Sequence, residues 1–502
     1  MRWVRRWSGL TRALAVGLLG SGVAAGPAAA QPATLTEVDA WVTERLAAHD
    51  IPGAVVAVVR DGRAVHLAGY GVADRGGRPV TPDTPFLIGS VSKTFTATVV
   101  LQLVAEGALG LDDPVLPHLE HGVDRYPDGF EQVTVRQLLS HTGGLSMAVG
   151  LAGTVPVERG PDALQRRVAE LLRHRLARPP GGAFEYSNAG PVLLAAVVED
   201  VTGETFAEQL DRRVFTPLGM DASFATEDDA RAAVTVTGHQ LWFGRWRAVD
   251  LPFDPAGVAM GYVGSTARDM ARFALAHLAE EPGPGVAAVA AEVAGRPVVP
   301  TGWDVPLETA HGLGWFVDEL GGHQVVSHAG SLGDVTAHLV LVPDADLGVV
   351  VLTNASAFIA AGHTGQYDLS LGLTRLLLGL EPEPTDRSFL LSIVAPIVSW
   401  GLMLLVPVTA AHHLRRTLPR WRRERRGGTP AARWRRRVVA PGIAWVGAAA
   451  LVLALAPLPA ARLFYPDVGW GLTVAAWLAL AWGVIRTVVA THALSARADR
   501  CG

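Results

Sequence analysis

The sequence predicts an α+β fold: an antiparallel sheet flanked by helices, with a long helical insertion, followed by three transmembrane helices. The strand-like runs form an N-terminal hairpin and a later group of four, and helix-like segments precede, separate and follow them. Short strands joined by tight turns pair antiparallel, and helices then cover the faces of the sheet. Three long uncharged apolar runs near the C-terminus are each close to the ~20 residues that a spanning helix needs.

The N-terminus has the pattern of a signal peptide over residues 1–30. Four Arg, at 2, 5, 6 and 12, precede a short apolar core at 13–25, and three Ala at 28–30 offer a cleavage site before Gln31. A positive segment, an apolar core and small residues in this order are typical of export signals. An uncleaved anchor and a twin-arginine signal stay open as alternatives.

The domain is predicted to span residues 31–380, and its elements follow from hydrophobic periodicity and turn residues. Asp61-Gly62 separates two alternating runs, which is typical of a type I′ hairpin. Helices are expected at 34–49, 94–106, 133–139, 161–178, 192–201, 265–277 and 368–380. Strands are expected at 53–60, 63–70, 312–319, 324–328, 337–342 and 347–352, with a strand pair within 239–248.

Lys93 is the only lysine among the 502 residues, and every other basic residue is Arg. An Arg stays protonated in proteins, whereas a buried Lys amine can lose its proton. Ser90 lies three residues earlier, at the predicted start of a buried helix, so the hydroxyl and the amine can share one helix face. A Ser beside a deprotonated Lys is a nucleophile–base pair. The alternative is a surface lysine that lies near a serine by chance.

Two further segments offer polar side chains for a hydrolytic site. Tyr186 and Asn188 follow a Pro/Gly break and precede an apolar helix, so they can project from a loop. His328 lies at the end of a predicted strand, before Gly330 and Ser331, where small residues let a substrate backbone approach. Each has a structural alternative: Tyr186 as an aromatic side chain at the edge of the core, and His328 as a surface or packing residue.

Together these segments resemble the serine β-lactamase and penicillin-binding-protein superfamily, and most closely its class C-like branch. That branch includes D-alanyl-D-alanine carboxypeptidases, D-aminopeptidases and esterases. Ser90-x-x-Lys93 and Tyr186-x-Asn188 match two motifs of the family, and His328-Ala329-Gly330 stands where Lys-Thr-Gly is usual. The resemblance covers about residues 34–380 and extends to stretches at 140–145, 217–220 and 312–315.

The resemblance implies a serine hydrolase with a β-lactamase/transpeptidase-like sheet. Ser90 would attack a carbonyl, and Lys93 and Tyr186 would carry the protons; which of the two is the general base stays open. The N–H groups of Ser90 and Ser331 would form the oxyanion hole beside Gly330. Asn188 and His328 would orient the substrate. Because His328 replaces a permanent cation, we expect weaker binding of a substrate carboxylate, and an ester or D-amino-acid amide as substrate.

Several alternatives stay open. The chain can be a slowly acylating penicillin-binding receptor or sensor, a true β-lactamase, or a membrane protein with an inactive hydrolase domain. The expected partner is a small-molecule or cell-wall peptide or ester substrate, and the oligomeric state is open. No cofactor is expected, and no metal site, because His118 and His121 lack a third ligand at a recognisable spacing. From Gln31 to Asp386 there are 44 acidic and 23 basic residues, a balance of −21, so nucleic acid is not an expected partner.

The C-terminal region is predicted to be a multi-pass membrane segment that contacts the lipid bilayer. A polar linker at 381–387 precedes spans at 388–411, 438–460 and 468–490. The loop at 412–437 is rich in Arg, and the positive-inside rule places it in the cytoplasm. We therefore expect the turn at 461–467 and the catalytic domain outside the cytoplasm, and the tail at 491–502 inside.

Overall fold

A computed structural model of the chain describes residues 33–119, 126–152, 159–279, 299–303, 305–356, 366–382 and 466–498, with isolated positions between 397 and 462. The predicted signal peptide lies outside the described residues. Most residues of the predicted first span, of the basic loop and of the predicted second span also lie outside the described residues.

An eight-stranded antiparallel sheet is the centre of the domain. The described strands are β1 Gly53–Arg60, β2 Arg63–Gly71, β3 Phe86–Leu87, β4 Gly238–Trp242, β5 Arg245–Val249, β6 Gly264–Ser265, β7 Val299–Pro300, β8 Ala310–His311, β9 Phe316–Leu320, β10 His323–Ser331, β11 Thr336–Val342 and β12 Leu347–Thr353. The order in the large sheet is β2-β1-β12-β11-β10-β9-β8-β7, while β3 pairs with β6 and β4 with β5. The prediction of an antiparallel sheet is confirmed.

The central strands are buried on both faces. In β1, Val55, Ala57 and Val59 belong to one hydrophobic cluster, and the alternating Val56 and Val58 belong to another. Successive side chains of a strand point to opposite faces. The sheet therefore separates two cores, and each core needs a covering layer of helices.

The helices form those layers. The described helices of the domain are α1 Leu35–Ala48, α2 Ser92–Ala105, α3 Val135–Leu139, α4 Met147–Ala152, α5 Ala163–Leu171, α6 Ala189–Thr202, α7 Phe206–Leu210, α8 Thr216–Leu218, α9 Glu227–Ala232, α10 Ala267–Leu278 and a helix at Gln366–Leu377. α1 and Gln366–Leu377 pack together over one face, where the Trp41 indole N–H donates to the Leu369 carbonyl at 3.3 Å. α2, α6 and α10 share the other core, so the helical insertion packs directly behind α2.

Most predicted boundaries hold within a few residues, and two segments differ. The predicted helix 161–178 ends at Leu171, because the chain beyond it extends to let the Ala177 N–H donate to the Gly144 carbonyl. The predicted strand 312–319 begins only at Phe316. Before it, Gly314 has φ +82° and lies against Ala97 of α2, where an added Cβ would collide.

The predicted third span forms a helix longer than expected. It runs from Pro466 to Ala498 rather than over 468–490. Among the described residues, Pro466–Ile485 is the one stretch that is long and apolar enough to cross a membrane, judged by length and composition. Three spans are not confirmed, since the other two lie largely outside the described residues.

Candidate active site

Ser90 lies in a tight turn that leads into the buried helix α2. The turn is a 3₁₀ turn at Gly89–Val91, and α2 follows at Ser92. The Ile88 N–H donates to the Val263 carbonyl at 3.0 Å, which fixes the strand before the turn. The predicted position of Ser90 at a helix start is therefore found, and free N–H groups of a first helical turn favour negative charge.

The Lys93 amine lies at hydrogen-bond distance from the Ser90 hydroxyl. Lys93 Nζ is 2.8 Å from Ser90 Oγ and 2.6 Å from the Met260 carbonyl oxygen. The lysine is 3% exposed. Burial holds the pKa of Lys93 well below its usual 10.5, because a charged amine loses its solvation there. The amine therefore lies close enough to Ser90 to accept the proton of its hydroxyl, and burial favours the neutral form that can do so.

Tyr186 completes a group of three polar side chains around Ser90. Burial raises the pKa of Tyr186 above its usual value, and a side-chain hydrogen bond with Ser90 acts in the opposite direction. Lys93 Nζ lies 5.0 Å from the centre of the Tyr186 ring. The tyrosine is therefore a neutral phenol that can pass a proton to or from the same hydroxyl.

His141 supports the loop that carries Tyr186. Its Nδ1 accepts a hydrogen bond from the Ser187 N–H at 3.3 Å, and its ring centre lies 4.5 Å from that of Tyr186. Burial, His311 and Lys93 hold the pKa of His141 well below 6.5. His141 thus holds the backbone of the loop that carries Tyr186.

Two glycines bring β10 into backbone contact with the 3₁₀ turn at Gly89–Val91, called here the nucleophile turn. Gly89 has φ +54°, and a Cβ added to it would lie 2.5 Å from the Ser331 nitrogen. A Cβ on Gly330 would collide with the Ile88 carbonyl and lie 3.1 Å from the Ser90 nitrogen. The backbone nitrogens of Ser90 and Ser331 therefore both lie at the contact of these two segments. Two such N–H groups beside a nucleophile are what an oxyanion hole requires.

His328 lies beside the same group, with its ring centre 6.5 Å from that of Tyr186, and Asn188 is two residues after Tyr186 in the chain. His328 Nδ1 donates to the Ala329 carbonyl at 2.7 Å, and burial with the nearby Lys93 holds the pKa of His328 well below 6.5. The imidazole is therefore neutral. Asn188 is the residue before α6, and its Oδ1 is buried without a hydrogen-bond partner among the described residues.

Sequence reasoning missed the Met260 carbonyl and the aromatic surroundings of the site. Trp303 and Phe316 have ring centres 5.9 and 6.5 Å from that of Tyr186, and the buried His311 lies 6.4 Å from His328. A backbone carbonyl has no sequence signal. The aromatic residues lie more than a hundred positions from Tyr186, so only the folded sheet brings them together.

A partly exposed serine, a buried lysine and a tyrosine that meet at a helix start define a class of enzyme that works through a nucleophilic serine. The family described as Beta-lactamase matches residues 38–369. The chain belongs to this beta-lactamase family, and it is an enzyme of the serine-hydrolase type.

Three relatives show the range of the likeness. Penicillin-binding protein 4 of Amycolatopsis lactamdurans is 32% identical over 61% of this chain and 81% of its own length. Esterase EstB of Burkholderia gladioli is 38% identical over 39% of this chain, which matches 53% of that esterase. The solved D-stereospecific amidohydrolase from a Streptomyces species has a TM-score of 0.52 and 28% identity, over 63% of this chain and 94% of its own.

Proposed function

We propose that the chain is a membrane-anchored, extracytoplasmic serine hydrolase that cleaves an ester or a D-amino-acid amide through a Ser90 acyl-enzyme. The observation that carries the proposal is the 2.8 Å distance between the Nζ of the buried Lys93 and the Oγ of the partly exposed Ser90. The relatives named an esterase and a D-stereospecific amidohydrolase support the two substrate classes.

The proposed reaction begins when Ser90 Oγ attacks the substrate carbonyl and its proton moves to the Lys93–Tyr186 pair. Both side chains contact Ser90, so either can be the base. Collapse of the tetrahedral intermediate expels an alcohol or amine, which takes a proton from the pair. Water then attacks the acyl-enzyme and gives up a proton to the same pair. The second intermediate collapses, the pair returns that proton to Ser90 Oγ, and the acid is released.

The negative charge of each tetrahedral intermediate would be stabilised by the backbone N–H groups of Ser90 and Ser331. The close contact through Gly89 and Gly330 supports this role. Loss of one such donor typically costs about 10²–10³ in kcat. The neutral His328 and the Asn188 amide would orient the bound substrate.

Covalent labelling tests the nucleophile. The full chain in detergent is treated with a fluorophosphonate or a reporter penicillin, and the labelled peptide is found by mass spectrometry. We expect the label on Ser90 and none on the Ser90→Ala variant. Label on another serine, or equal labelling of Ser90→Ala, contradicts the proposal.

Turnover separates the hydrolase from a slowly acylating receptor. A hydrolase releases product from a simple ester or a D-alanyl amide over many cycles after any initial burst. A receptor gives one burst equal to the enzyme concentration and then stops, which would show that the site acylates without hydrolysing.

A further inference from the structure

The Lys93 amine has a second partner that lies in a buried turn. This segment, called here the carbonyl turn, comprises a 3₁₀ turn at Pro255–Gly257 and a π turn at Val258–Tyr262. Within it, the Met260 carbonyl accepts a hydrogen bond from Lys93 Nζ at 2.6 Å. A neutral amine has two N–H groups and one lone pair. When Met260 takes one N–H, rotation of the amine is restricted and its lone pair can face the Ser90 hydroxyl.

The carbonyl turn is fastened to helix α2 on both sides of Met260. The Thr96 hydroxyl donates to the Ala259 carbonyl at 2.8 Å, and the Val263 N–H donates to the Ser92 hydroxyl at 3.1 Å. These two hydrogen bonds hold the carbonyl turn against α2. The contacts within the turn then decide where the Met260 carbonyl lies relative to Lys93.

A buried ion pair holds the start of this turn. Asp254 Oδ1 accepts from the Ala256 N–H at 3.1 Å, and the Asp254 carbonyl accepts from the Gly257 N–H at 2.9 Å. Arg167 on α5 donates to Asp254 Oδ2 at 3.3 Å, and the two side chains are 2% and 0% exposed. The pair therefore connects the helical insertion to the turn that contacts Lys93.

Gly257 shows how closely the turn packs around this carboxylate. A Cβ added to Gly257 would lie 2.7 Å from the Tyr262 ring, 2.9 Å from Asp254 Oδ2 and 2.9 Å from the Met260 methyl group. The carboxylate thus lies against the turn rather than at its edge. Gly257 lies against Asp254, Met260 and Tyr262 together, so we expect a shift at Asp254 to move this part of the turn.

We propose that Asp254, held by Arg167, is a positioning residue for the catalytic amine: it fixes the carbonyl turn so that Met260 orients Lys93 toward Ser90. The inference rests on the proposed role of Lys93 in proton transfer. Asp254 acts through Met260 and does not touch the substrate.

The first test compares Asp254→Asn with Asp368→Asn in the full chain. Asp368 is a matched control, because it also pairs with an arginine, Arg45, at 3.3 Å and is buried in the opposite layer. For Asp254→Asn we expect kcat on a simple ester to fall about 10- to 100-fold with KM within about threefold, since a displacement near 1 Å can cost that much. Asp368→Asn should leave both constants near the wild-type values.

The pH profile supplies a readout that a purely structural role would not change. In Asp254→Asn the carbonyl turn shifts, so the ammonium form of Lys93 loses the Met260 carbonyl as an acceptor at 2.6 Å, and this disfavours the charged amine. The acidic limb of kcat/KM should therefore move to lower pH. An unchanged limb and kcat in a folded Asp254→Asn enzyme would overturn the proposal.

Gly257→Ala is a second variant that moves the turn without changing any charge. We expect the same fall in kcat with little change in KM. The Ser90-labelled fraction gives the concentration of competent enzyme, so kcat is corrected for unfolded protein. If Asp254→Asn does not fold, Gly257→Ala decides, and a wild-type kcat in that variant overturns the proposal. Absence of Ser90 labelling in the wild type would instead contradict the proposed function.

Discussion

Lys93→Arg separates a positive charge from a removable proton at the centre of the site. Burial lowers the pKa of Lys93 well below 10.5, whereas Arg stays charged. If Lys93 accepts the proton of Ser90, kcat on a simple ester should fall by about 10²–10⁴. Circular dichroism should show an unchanged fold. A near-normal rate would assign Lys93 a structural role instead.

His328 is expected to decide which carbonyl compounds are turned over well. Its neutral imidazole gives a substrate carboxylate no cationic partner. We predict a higher kcat/KM for a simple ester or a D-alanyl derivative than for benzylpenicillin, measured on one preparation with Ser90→Ala as the background. A higher kcat/KM for benzylpenicillin than for every ester tested would contradict this.

At the scale of residues, the sequence was most informative where side-chain chemistry is rare. A single lysine three positions after a serine predicted the pair that the structure places 2.8 Å apart. Tyr186 was predicted from its loop position and its motif. Met260 and Asp254 were not, because a backbone carbonyl and a buried ion pair act through contacts that only the fold creates.

Strand β10 and the nucleophile turn fit together only because Gly330 has no side chain. In Gly330→Ala the added methyl would meet the Ile88 carbonyl and press on the Ser90 nitrogen. We expect kcat to fall at least about 10²-fold, as for loss of an oxyanion donor, with a lower melting temperature. Gly261→Ala is the matched control.

Gly261 also lies near the turn at Gly89–Val91, but there is room for a methyl group at this position. A Cβ on Gly261 would lie 3.4 Å from Leu332 and 3.7 Å from Gly89, which are ordinary contacts. Its effect on kcat should be much smaller than that of Gly330→Ala. Equal losses in the two variants would show that β10 does not hold the nucleophile turn.

Hydrophobic periodicity and turn residues predicted those helices, strands and turns whose formation depends on residues close in the sequence. The Asp61-Gly62 hairpin is found, with φ values of +51° and +69°. The end of α5 and the late start of β9 could not be predicted, because both follow from contacts with distant segments. Ala177 bonds Gly144, and Gly314 lies against α2.

The whole domain should lose stability as the pH falls below about 6.5. Burial lowers the pKa of His311 to about 3 and those of His277 and His338 to about 4, and it also holds the pKa values of His141 and His328 low. Below pH 6.5 the unfolded chain binds more protons than the folded one, so acid favours unfolding. Each histidine adds roughly 1.4 kcal/mol per pH unit within its window.

Melting temperatures of the full chain between pH 7.5 and pH 5 measure this slope. Asp334 acts in the opposite direction, since burial raises its pKa to about 7, and burial also raises the pKa values of Glu199 and Asp269. The histidines with lowered pKa values, which include His66 and His239, outnumber these carboxyl groups. His338→Gln should reduce the slope, and the half-exposed His323 replaced by Gln is the control for loss of a histidine. A melting temperature that rises toward pH 5 would contradict the prediction.

The orientation of the chain in the membrane follows from one basic loop. Between the first two predicted spans, residues 412–437 carry eleven Arg and the single acid Glu424. We predict that a short loop of this composition stays in the cytoplasm, so that the span before it runs inward and the catalytic domain lies outside. The predicted signal peptide supports the same orientation. In addition, the Phe243 N–H of the catalytic domain donates to Asp467 Oδ2, at the start of the last helix, at 3.0 Å. This contact supports a location of the catalytic domain and of the start of that helix on the same side of the membrane.

Reporter fusions test this topology directly. Alkaline phosphatase folds to an active form only outside the cytoplasm, where its disulfides can form. Fused after Asp386 it should be active, and fused after Arg426 it should be inactive, with immunoblots showing equal amounts of both fusions. A cytoplasmic reporter such as green fluorescent protein at the same two positions should give the opposite pattern. Activity only after Arg426 would place the catalytic domain inside the cell and contradict the extracytoplasmic location that we propose.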